Sequence, residues 1–102
     1  MIIQFAQNGC IRVSTENNIK IEFNPSAFKY GCTEDDIFKA IDTFCYDGDV
    51  VGDIEADNKF LLIGFDINAN LIEVIYNVID ENSINVFHAM KCRDVYIKLI
   101  EK

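Results

Sequence analysis

From Asp49 onward the chain is a succession of β-rich runs, DVVGDI, NKFLLIGFDI, LIEVIYNVI and INVFHAMKC, separated by clusters of turn residues such as Asp66-Ile67-Asn68-Ala69-Asn70 and Asp80-Glu81-Asn82-Ser83. Connections this short join antiparallel neighbours, whereas a parallel pair needs a crossover of a dozen or more residues. The spacing therefore predicts an antiparallel sheet of three to four strands. In LIEVIYNVI, alternation puts Ile72, Val74, Tyr76 and Val78 on one face and Glu73 and Asn77 on the other, so one side of the sheet is expected to be partly wet. FLLIGF is apolar on both sides, which predicts a strand inside the sheet with a helix over one face.

The residues before this run supply the other layer. IIQFA and CIRVS around Gln7-Asn8-Gly9 predict a hairpin, and IKIEF a further short strand. In NPSAFKYG, Asn24 caps a helical segment, Pro25 suits its first position and Gly31 its left-handed end. Thr33 caps a second helix with Asp36 at the capping-box spacing, and Ile37, Phe38, Ile41 and Phe44 form its apolar face. Asp94 to Lys102 reads as a closing helix packed through Val95, Leu99, Tyr96 and Ile100. The predicted order is (hairpin)-α-α-β-β-β-β-α, an α+β two-layer domain. It is read as one domain over residues 1–102, with 1–22 an N-terminal hairpin extension of a 23–102 core.

Composition narrows the function classes. No apolar run approaches the ~20 residues of a membrane span, and MIIQFAQNG has no basic start, which points to no membrane partner and a cytoplasmic protein. Cys10, Cys32, Cys45 and Cys92 form no CxxC pair and only one histidine accompanies them, so reduced thiols are expected rather than a zinc site. The net charge of -8 counts against a nonspecific nucleic-acid binder. Residues 1–82 hold five Lys or Arg against fifteen Asp or Glu, whereas residues 83–102 hold four against two. The only positive part of the chain is its last fifth.

VFHAMKCR opens onto that part. Alternation places Ile84, Val86, His88, Met90 and Cys92 on one strand face and Asn85, Phe87, Ala89 and Lys91 on the other. His88 thus shares its side with apolar neighbours. Such a residue is either a satisfied, half-buried histidine or a general acid or base. Lys91 and Arg93 fall where the strand gives way to a helix, an arrangement able to grip a phosphate, although a basic pair at an element end is also an ordinary solvated terminus. Tyr96 by itself reads as a core residue. No GxSxG, P-loop, GxGxxG, HExxH or calcium loop is present, and no cofactor is called for.

KYGCTEDDIFKAI, KFLLIGFDINANLIEVIYNV and VFHAMKCRDVYIKLI together resemble the BrnT-like branch of the RelE superfamily, toxins of bacterial type II toxin–antitoxin modules. The resemblance covers about residues 27 to 100 and is strongest from His88-Ala89-Met90 to Tyr96, with Tyr30 standing where the family often has His. It implies a two-layer fold of antiparallel sheet and helices, metal-independent endoribonuclease action on mRNA, and a small antitoxin protein that holds the toxin inactive. Carried over by position, His88 is the acid/base residue, Arg93 and Lys91 stabilise phosphate, and Tyr96 positions or donates a proton. The alternative from a different class is a noncatalytic protein-interaction module of the same fold whose acidic surface binds a small basic partner.

Overall fold

The computed structural model describes residues 4–6, 9–13, 19–50 and 58–100, the first two segments as backbone only. Among the described residues seven strands form one sheet: β1 (Gln4–Ala6), β2 (Gly9–Val13), β3 (Lys20–Phe23), β4 (Tyr46–Asp49), β5 (Phe60–Phe65), β6 (Leu71–Asp80) and β7 (Ser83–Lys91). Their order across the sheet is β1-β2-β3-β7-β6-β5-β4. Two short helices accompany them, α1 (Glu34–Asp42) and α2 (Asp94–Ile97), with a 3-10 turn at Pro25–Phe28.

This architecture corrects the expectation of a three- to four-stranded antiparallel sheet. The sheet is mixed, because β3 runs parallel to β7 with Lys20 opposite Ser83 and Phe23 opposite Val86. The crossover a parallel pair requires is the long excursion through the 3-10 turn, α1 and the β4-β5-β6 meander, which brings the chain back beside β3. Short-range turn signals report sequential neighbours and carry no information about a strand returning sixty residues later. The hairpin β1-β2 continues antiparallel onto β3, and its turn at residues 7–8 lies outside the described residues. So does most of DVVGDI; the described strand there is YDGD, a composition poor in strand formers that holds its place by pairing with β5.

The two expected flanking helices are also shorter than their sequence patterns suggested. Asn24 caps as read, its side chain accepting from the Ser26 amide, and Gly31 takes φ +93°, but the segment between is a single 3-10 turn. After Arg93 only Asp94–Ile97 is α-helical, and Val95 faces solvent while Tyr96 is buried. Residues 101–102 lie outside the described residues. α1 matches its signals: Thr33 and Asp36 form the reciprocal capping box, and Ile37, Ala40 and Ile41 are buried. Phe44, expected on the apolar face, falls past the helix end and is half exposed.

Each sheet face carries its own core. On one, α1 packs on Ile21, Phe23, Leu62, Ile72, Val74, Val86 and Ala89. Gly64 permits that approach, since a Cβ there would overlap the backbone of Ala40. On the other, Leu61 and Ile63 meet Cys92 and Tyr96, with Ile75, Ile97, Leu99 and Ile100 at the margin.

Candidate functional site

The second face contains the only buried acidic residue among the described residues, Glu73, whose side chain is 0% exposed. Strand β6 places it opposite Ile63 on one side and Met90 on the other. A carboxylate surrounded by aliphatic side chains is costly unless its oxygens are satisfied. Here they are. Nε2 of His88 donates to Oε2 at 2.9 Å, and the Arg93 backbone amide donates to Oε1 at 3.0 Å. The Arg93 guanidinium closes the cluster, with Nη2 2.7 Å from Oε2 and Nε 3.1 Å from Oε1.

A β-bulge makes this cluster possible. Tyr76 pairs with Val86 and Ile75 with His88, so Phe87 is an extra residue with no partner on β6. An extra residue reverses the alternation beyond it. Val86 therefore stays on the α1 face, while His88 turns to the opposite face and becomes the diagonal neighbour of Glu73. Strict alternation had put His88 beside Val86, and the structure corrects this. The bulge is pinned from outside the strand: Ser26 Oγ donates to the Phe87 carbonyl at 2.6 Å, immediately past the last β3–β7 pair.

Burial raises the Glu73 carboxyl, but hydrogen bonds from His88 and Arg93 and the nearby guanidinium charge outweigh it and hold the group down to about 2. The carboxylate is therefore ionised at neutral pH and can only accept, which requires a hydrogen on His88 Nε2. In the neutral ring Nδ1 is then the basic atom, and it has no hydrogen-bond partner among the described residues. The pair is a carboxylate-oriented imidazole with 20% of the histidine side chain exposed. Arg93 is 50% exposed, with its Nε and Nη2 tied to Glu73. Its own proton is held more firmly by the hydrogen bonds to Glu73.

Two tyrosines frame the group. Tyr96 is buried with its ring 5.3 Å from the Arg93 guanidinium carbon, a cation–π support that fixes the side chain. Tyr30 stands on the outer side, its ring edge-on to His88 at 5.7 Å and more than half exposed, and Lys29 Nζ lies 5.6 Å from that ring. His88, Arg93 and Tyr96, which only the resemblance grouped together, thus lie around Glu73 and the Arg93 guanidinium. Lys91 does not join them. It lies opposite Ile72, on the other side of the strand from His88, and lines a separate cleft.

The residue that sequence reasoning missed is Glu73, which alternation assigned to a wet face. Its signal was available in LIEVIY: one carboxylate among five apolar residues has to be paired if the strand is interior. Cys92, at the junction, is buried; burial first and then Glu73 push its thiol up to about 11, so it is an inert thiol rather than a nucleophile. Among the described residues no group of His, Cys, Asp and Glu could hold a metal ion, and no helix is long and apolar enough to cross a membrane. In comparisons with protein-family models, curated proteins and solved structures, the chain matches none.

Proposed function

We propose that the protein is the toxin-like component of a toxin–antitoxin module and that the His88–Glu73–Arg93 cluster cleaves RNA without a metal ion. The observation that supports this most is the buried carboxylate holding an imidazole and a guanidinium side by side, both of them partly exposed. In the reaction His88 Nδ1 takes the proton of a ribose 2′-hydroxyl as its oxygen bonds to the adjacent phosphorus. The bond to the 5′ oxygen breaks, that oxygen takes a proton from water, and the imidazolium returns its own proton to solvent. Arg93 Nη1 stabilises the charge on the phosphorane oxygens, and Tyr96 keeps the guanidinium in place. Glu73 fixes the tautomer and orientation of the imidazole and touches no substrate. Lys91 lies outside this cluster.

The toxin reading rests on this cluster and on the resemblance of residues 27 to 100; the mixed seven-stranded sheet lends it no support. Purified protein incubated with RNA in EDTA should yield 2′,3′-cyclic phosphate ends. His88→Ala should slow cleavage by about 10²- to 10⁴-fold while leaving the far-UV spectrum unchanged. RNA left intact by the wild type across protein concentrations, in the absence of a partner, would rule the activity out.

The net charge of -8 favours a second reading, a noncatalytic module whose acidic surface binds a small basic protein. The two readings share a partner of that chemistry, and growth arrest on expression separates them. The free thiols of Cys32, Cys45 and Cys92 suit a reducing cytoplasm for either.

A further inference from the structure

A cleft of about 540 Å³ opens beside this cluster, within the range of small-molecule sites. Tyr30 belongs to both: its ring lines the cleft and lies 5.7 Å from the ring of His88. The remaining wall is rich in hydrogen-bond acceptors. Asp66 Oδ1 is occupied by the amides of Asn68 and Asn70, which it holds at 2.9 and 2.8 Å, leaving Oδ2 without a partner among the described residues. Asp36 lines the same wall with both oxygens engaged, Oδ2 accepting from the Thr33 amide at 3.0 Å and Oδ1 from the Ile67 amide at 3.3 Å, and Asn68 and Asn70 line it as well. Lys91 is the sole cation on the wall among the described residues, about 10 Å along β7 from His88. The local field is negative enough to register on Cys32, whose thiol is raised first by burial and then by Asp36 and Asp66. Such a cleft repels a phosphate and accepts a flat, uncharged group rich in N–H donors.

We propose that this cleft is the nucleobase subsite of the cleavage centre and selects guanine at the nucleotide that carries the attacking 2′-hydroxyl. The proposal rests on the RNA-cleaving reading of His88 and Arg93. Guanine presents a ring N–H and an amino group side by side, donors for the free oxygen of Asp66 and the side-chain carbonyl of Asn68 or Asn70, with a carbonyl alongside for the other Asn amide or Lys91. Uracil presents one ring N–H between two carbonyl oxygens, and those oxygens would face the same acceptors. Tyr30 supplies an exposed aromatic wall for stacking, and its contact with His88 ties base position to the position of the sugar and phosphate.

DNA oligonucleotides carrying one ribonucleotide, G, A, C or U, test the idea. Cleavage should favour G over U by about tenfold or more. Asp66→Asn keeps the Oδ1 acceptor that organises the turn and exchanges the free oxygen for an amino group, so it should erase or invert the preference with an unchanged far-UV spectrum. In parallel, 3′-GMP and 3′-UMP are titrated into ¹⁵N-labelled His88→Ala protein, where 3′-GMP should shift the Asn68 and Asn70 amides at lower concentration. Equal cleavage at the four ribonucleotides overturns the subsite and leaves the cleavage reading standing. If no oligonucleotide is cut, the cleavage reading fails and the titration judges the cleft alone: selective, Asp66-dependent shifts with 3′-GMP uphold it as a guanine site, and equal or absent shifts overturn it.

Discussion

The two faces of the sheet are built from the same strands and solve opposite problems. On the α1 face the buried cluster is apolar, and Gly64 lets the helix backbone sit directly on the strand. On the other face a one-turn helix and a few C-terminal residues cover Leu61 and Ile63, and beside them is a fully buried carboxylate satisfied by only two side chains and one amide. The first face gains its stability from contact and shape. The second puts a charge where hydrophobic packing would have served, and it keeps that charge only as long as its partners stay in place. Polar groups retained at such a cost are where a site is to be sought.

The sharpest way to break this contrast is Arg93→Met, which leaves Glu73 buried without its guanidinium. The expected loss is about 3 kcal/mol, at the low end for a broken buried pair because half of Arg93 is already in water; urea unfolding at pH 7 measures it, and a loss below that of an ordinary surface substitution would mean the two faces do not differ. Next comes pH. The Glu73 carboxyl lies near 2 in the folded protein against 4.5 when free, so its contribution, about 3 kcal/mol at most, is complete above pH 4.5 and is lost as pH falls towards 2. The stability difference between wild type and Glu73→Gln should therefore shrink between pH 6 and pH 2. On the other face, Gly64→Ala should cost about 2 kcal/mol by displacing α1, with no dependence on pH over the same range. Thr33→Ala, which removes the capping box of α1, should cost about 1 kcal/mol in the same assay.

Local signals were legible wherever a few adjacent residues decide the outcome. The Thr33–Asp36 box, the Asn24 cap, the left-handed Gly31 and the 66–70 turn are all found, the last with Ala69 at φ +66° and Asp66 holding two amides of its own loop. The convergence of His88 and Arg93 was half legible. Their nearness in sequence suggested a shared site, but the group that joins them was assigned to a wet face. The parallel β3–β7 pair was not legible, because nothing in IKIEF distinguishes the strand it will meet.

By itself the sequence determined the caps, the turns, the alternating strands and the positive C-terminal fifth, all properties of neighbouring residues along the chain. Tertiary structure alone decided which way His88 faces. A single extra residue at Phe87, anchored by Ser26 from sixty-one positions away, reverses the pleat, and a reversal of one position carries the histidine from the apolar core to the buried carboxylate.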